Sequence, residues 1–137
     1  MEQRVFAILV HDKPFPLEPL RRALKDLHVD TYSVHSCKEA RDLISQTHPQ
    51  LVFTDVSVSD GSWADVVNLA EQAEAPPDVI VVGSSVDTKF YVSAIERGAF
   101  DFVLPPFELG GLRHVVRTAE LHVGDRRRAQ TEPSKVD

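Results

Sequence analysis

Along the chain, short apolar runs alternate with segments in which apolar residues recur every three or four positions. The runs predict strands over Val5 to Val10, Thr31 to Val34, Leu51 to Thr54, Val79 to Val82 and Phe102 to Leu104. They are mostly apolar throughout, as expected of strands covered on both faces. Between them, Leu17, Leu20, Leu24 and Leu27 share one helical face, as do Ala40, Leu43 and Ile44, and then Val66, Leu69, Ala70 and Ala73. Ser36 before Glu39 and Ser62 before Asp65 have the spacing of a capping box and mark two helix starts. A fourth helix is predicted from about Asp87 to Arg97, stopped by Gly98. A fifth buries Leu112, Val115, Val116, Ala119 and Val123, with Gly110 and Gly111 weakening its first turn.

Five repeats of strand then helix predict an α/β fold with one doubly wound parallel sheet and right-handed crossovers. The 137 residues suffice for one such domain, expected over 1–124. The segment 125–137 has no apolar period and is expected to be a disordered tail or a linker to an output domain outside this chain. Its run Arg126, Arg127, Arg128 is read as solvated.

Composition narrows the function. A formal charge of -6 argues against direct nucleic-acid binding by the domain as a whole. The single cysteine, Cys37, excludes an internal disulfide framework and a cysteine-rich metal cluster, and is read as a small residue in the second helix. No run is apolar enough to span a bilayer and the N-terminus lacks a signal-peptide core, so a soluble cytoplasmic protein is expected.

In an open parallel sheet ligands bind beyond the carboxyl ends of the strands. There the sequence places His11 and Asp12, then Asp55, then Gly83 and Ser84, then Pro105 and Pro106. Two carboxylates on adjacent strands suit magnesium, which takes one or two carboxylates, waters and a phosphate oxygen.

Over residues 4 to 124 the chain resembles the response-regulator receiver domain, the CheY-like family. The segment TDVSVSDGSW resembles that family's phosphoacceptor segment, and Gly98, Ala99, Asp101, Phe102, Pro106 and Phe107 match its later GAxDFxxKPF segment. The resemblance implies the flavodoxin-like strand order 2-1-3-4-5 and a signalling domain of a two-component system, not an enzyme. It implies Asp55 as the residue phosphorylated by a histidine kinase, with magnesium held by Asp12, Asp55 and the backbone carbonyl of Ser57. Phe102 falls at its aromatic switch position. Its responsive face, which also serves for homodimers, is made of the fourth helix, fifth strand and fifth helix.

Four departures make the expected member atypical. His11 stands where the resemblance implies an acid, so the magnesium site is expected to be weakened. His11 reads either as a hydrogen-bonded residue at the site's edge or as an imidazolium supplying charge beside Asp12 and Asp55. Gly83 has no hydroxyl to offer a phosphoryl group, and Ser84 substitutes only if the strand has already ended. Pro105 replaces the lysine that pairs with the phosphoryl oxygen, with no side chain evident to supply that cation. Its loss should cost about a few kcal/mol of transition-state stabilisation. Ser59 and Trp63 alter the loop after Asp55, and Trp63, Phe90 and Tyr91 are candidate partner contacts.

The expected function is therefore an atypical receiver acting by protein–protein interaction with weakened or absent phosphorylation at Asp55. The alternative is a competent receiver. A flavodoxin-like cofactor protein or small enzyme is disfavoured because HDKPFPL, not a glycine-rich loop, follows the first strand.

Overall fold

A computed structural model describes residues 5–84 and 88–131. Five parallel strands form one sheet: β1 (Phe6–Val10), β2 (Asp30–Val34), β3 (Leu51–Asp55), β4 (Asp78–Val82) and β5 (Asp101–Val103), in the order β2-β1-β3-β4-β5. The α/β, flavodoxin-like fold and strand order expected from the resemblance are those observed. A separate two-stranded hairpin pairs Ser57–Val58 with Gly61–Ser62 directly after β3. The helices are α1 (Leu17–Asp26), α2 (Cys37–Thr47), α3 (Trp63–Glu71), α4 (Thr88–Glu96) and α5 (Leu109–Thr131). Asp87, where α4 was expected to begin, lies outside the described residues.

Two apolar layers enclose the sheet. On one face Leu17, Leu20 and Leu24 of α1 and Leu112, Val116 and Ala119 of α5 pack against Leu9, Phe53 and Ile80. On the other, Ala40 and Ile44 of α2, Val66 and Ala70 of α3 and Ala94 of α4 cover Ile8, Val52 and Val81. Alternate residues of each strand thus serve opposite layers, which is why the central strands read as unbroken apolar runs.

The helix ends follow local chemistry. Ser36 Oγ accepts from the Glu39 N–H at 3.1 Å, and Asp65 Oδ2 accepts from the Ser62 N–H at 2.9 Å. Asp60, from the hairpin turn, also caps α2, its two carboxylate oxygens accepting from the Cys37 and Lys38 N–H groups at 2.7 and 3.2 Å. Gly98 follows α4 with φ of 109°, a conformation L side chains rarely adopt.

The C-terminal boundary differs from expectation. No disorder begins at residue 125, because α5 runs on to Thr131. Arg127 donates to the carbonyls of His48, Pro49 and Ala75, at 3.2, 2.6 and 3.1 Å. Arg126 donates to the Pro76 carbonyl at 2.7 Å and to Asp78 Oδ1 at 3.2 Å. Guanidinium groups on loop carbonyls, not apolar burial, fasten these turns, which is why the apolar period stops before them. Residues 132–137 lie outside the described residues.

Candidate functional site

At the carboxyl ends of the strands, a cavity of about 390 Å³ is lined by Lys13, Phe15 and Pro16 on one side. Asp55, Val56 and Ser57 line it below, and Gly83, Ser84, Phe90 and Phe102 on the other side. Asp55 is the last residue of β3, so its backbone is held in the sheet while its half-buried carboxylate faces the opening. Asp55 Oδ1 accepts from the Val56 N–H at 2.7 Å. Burial pushes the Asp55 carboxyl above its usual range; the Val56 N–H opposes this, the nearby Asp12 charge adds to it, and His11 and Lys13 oppose it.

Asp12 is exposed and lines a neighbouring cavity of about 450 Å³ with His11, Lys13, Ser33 and His35. Lys13 belongs to both walls and stands between them. Asp12 and Asp55 thus sit on adjacent strand ends, and their mutual repulsion is what a divalent cation would relieve. Together with the Ser57 carbonyl they are the oxygen donors that would hold a magnesium ion here. Among the described residues no cluster of three or more His, Cys, Asp or Glu is placed to hold a metal ion.

His11 is 5% exposed and turned into the loop. Its Nδ1 lies 2.7 Å from the Lys13 carbonyl and its Nε2 3.1 Å from Ser33 Oγ. A carbonyl only accepts, so Nδ1 donates a proton to it, and Ser33 Oγ lies within hydrogen-bond distance of Nε2. Both ring nitrogens are thus engaged by hydrogen bonds at the edge of the site.

Gly83 follows β4 and still donates its N–H to the Val103 carbonyl at 3.0 Å. A Cβ there would lie 2.5 Å from Phe102 Cζ and 2.9 Å from Leu104 Cδ2. The aromatic ring therefore fills the space where a side chain at position 83 would begin. The strand ends at Val82, and the exposed Ser84 lines the cavity, which meets the condition set for it by the sequence.

The aromatic candidates form a chain. The Trp63 ring lies 5.5 Å from Phe90, Phe90 lies 5.5 Å from Phe102, and Tyr91 meets Phe102 edge-on at 6.0 Å. Trp63 and Phe90 are half-buried, whereas Tyr91 is 44% exposed. Pro105 is half-buried and does not line the cavity. Lys13, which the sequence did not single out, shares the cavity wall with Asp55. Its place beside Asp12 on the loop after β1 was the available signal. Burial, with help from Asp60 and Asp65, pushes the Cys37 thiol up to about 11, which disfavours the nucleophilic thiolate.

Residues 7–117 match the response regulator receiver domain family. The chain belongs to that family. This receiver domain of a two-component response regulator is 37% identical over 115 residues to the response regulator protein PilR of Pseudomonas aeruginosa, covering 82% of this chain and 25% of PilR. It is 28% identical over 136 residues to the DNA-binding response regulator MtrA of Mycolicibacterium smegmatis, covering 99% of this chain and 56% of MtrA. The receiver thus spans a quarter to about half of these relatives. Among solved structures it resembles the signal receiver domain of an HD domain-containing protein from Pseudomonas fluorescens, with a TM-score of 0.80, 19% identity, and coverage of 93% and 95% of the two chains. It also resembles NtrX from Brucella abortus, with a TM-score of 0.81, 22% identity, and coverage of 98% and 31%. These two likenesses carry the fold. No helix among the described residues is long and apolar enough to cross a membrane.

Proposed function

We propose that this receiver is atypical: it acts by presenting the face of α4, β5 and α5 to a signalling protein or a second copy of itself, with phosphoryl chemistry at Asp55 weakened. The observation that carries this reading is the Phe102 ring against Gly83. In the family it resembles, a hydroxyl at position 83 and an aromatic at 102 move together when the phosphoryl group arrives. Here the hydroxyl is absent and the ring already fills the space beside the glycine, so packing rather than a phosphoryl group sets the surface. Tyr91, Val92 and Ile95, all partly exposed on α4, supply the apolar contact area of that face.

The test is amide NMR of the full chain with magnesium and beryllofluoride, a phosphoryl mimic. Shifts should stay near Asp12, Asp55 and Ser84 and spare residues 91–95 and 102. A response across α4 and β5 would overturn the proposal in favour of the competent receiver, phosphorylated at Asp55 by a histidine kinase. Ser84 on the cavity wall is the observation on that second reading's side.

A further inference from the structure

We propose that Lys13 is the cation that receives an anionic group carried on Asp55, and that His11 positions it. This rests on the reading that Asp55 keeps weakened phosphoryl chemistry, and it joins two departures, His11 and Pro105, into one arrangement.

Lys13 and Asp55 line the same cavity, together with Ser57 and Ser84. Among the described residues Lys13 forms no ion pair, with Asp55 or any other carboxylate. A free ammonium and a half-buried carboxylate thus share a cavity without closing on each other, which leaves room for a group between them. A phosphoryl group bound through one oxygen to Asp55 presents its remaining anionic oxygens to such a space. A compact ammonium on a flexible stem can follow them as a point charge. The charge of Lys13 already reaches the site, since it opposes the upward shift of the Asp55 carboxyl.

His11 fixes the loop from which this lysine projects. Its backbone N–H donates to the Val34 carbonyl at 3.0 Å and its own carbonyl accepts from His35 Nδ1 at 2.9 Å. Its ring ties the Lys13 carbonyl, at 2.7 Å, to Ser33 on β2. An ionised aspartate at position 11 has no proton to donate to that carbonyl. The His11 ring thus holds the backbone from which the Lys13 side chain projects. The charge absent at Pro105, beyond β5, enters the cavity from the loop after β1.

Fluorine NMR of beryllofluoride binding to the full chain with magnesium tests both roles, with Asp55→Asn as the control. Lys13→Met should weaken Asp55-dependent binding at least fivefold, with Lys13→Arg within threefold of the parent protein. His11→Ala should weaken it, and His11→Asn, whose amide nitrogen can donate as Nδ1 does, should restore it. Amide spectra confirm that each variant is folded. If the parent binds and Lys13→Met loses less than fivefold, the lysine proposal fails and the reading of Asp55 stands. If the parent shows no Asp55-dependent signal, both fail. Equal weakening by His11→Ala and His11→Asn overturns the positioning role.

Discussion

The ring of Phe102 stands where a side chain at position 83 would begin: Cζ is 2.5 Å from the place a Gly83 Cβ would occupy. A Cβ at that distance forces movement, and the ring is held by Phe90 and Tyr91 on its other sides. Gly83→Thr should therefore cost roughly 1–3 kcal/mol, the usual range for overpacking. In a Phe102→Leu background the penalty should shrink, giving a coupling of about 1 kcal/mol or more in a double-mutant cycle. Urea unfolding of the four proteins measures it, and additive effects would show that the glycine and the ring are independent.

Asp55 sets a pH dependence of defined sign. Burial, the larger cause, raises its carboxyl in the fold, and Asp12 adds to this against the Val56 N–H, His11 and Lys13. The fold therefore binds a proton more readily there than the unfolded chain does. Stability from this group is fully present below the unfolded carboxyl value and is lost as pH rises through the folded one. In magnesium-free buffer Asp55→Asn should melt higher than the parent at neutral pH, and the gap should close on acidification through the carboxylate range. A gap that is absent, or that widens in acid, contradicts this account of the carboxylate.

Asp60 has the opposite sign. Chiefly the Cys37 N–H, together with the Lys38 N–H, holds its carboxyl below the usual range. Its contribution is present above the unfolded value and is lost as pH falls through the folded one. Asp60→Ala should lower the melting temperature at neutral pH, with the difference fading in acid. Hydrogen exchange should show the first turn of α2 opening more readily.

The sequence made the sheet legible because each strand packs on both faces and so reads as an apolar run, and because Asp55 ends one of them. The strand edges moved by only one residue, as with Asp78 joining β4 and Asp55 joining β3. Lys13 was not legible as a site residue, since its place depends on the path of the loop after β1 and on His11 holding its carbonyl. Ser84 depended on where β4 stops, which periodicity does not fix to one residue. Arg126 and Arg127 read as a solvated charge run because nothing local shows that two guanidinium groups will meet carbonyls about 50 to 80 residues away.

Those arginines make the end of α5 part of the domain. Asp78, 5% exposed at the start of β4, accepts from His122 Nδ1 at 2.8 Å and from Arg126 at 3.2 Å. His122 in turn stacks on Phe100, with ring centroids 5.4 Å apart. Arg127 ties the turn after α2 to the loop before β4. Hydrogen bonds to charged groups contribute about 1.5–3 kcal/mol each, and a guanidinium spreads several in a plane that a lysine cannot reproduce. Ending the chain after Gly124 should therefore lower stability by roughly 2–4 kcal/mol, and Arg127→Lys should lose part of that. Urea unfolding of both proteins checks it. If the shortened chain were as stable as the parent, the last turns of α5 would be an appendage. If it loses stability as expected, the last turns of α5 belong to the domain, fastened by their arginines at the amino-terminal edge of the sheet, the end opposite Asp55.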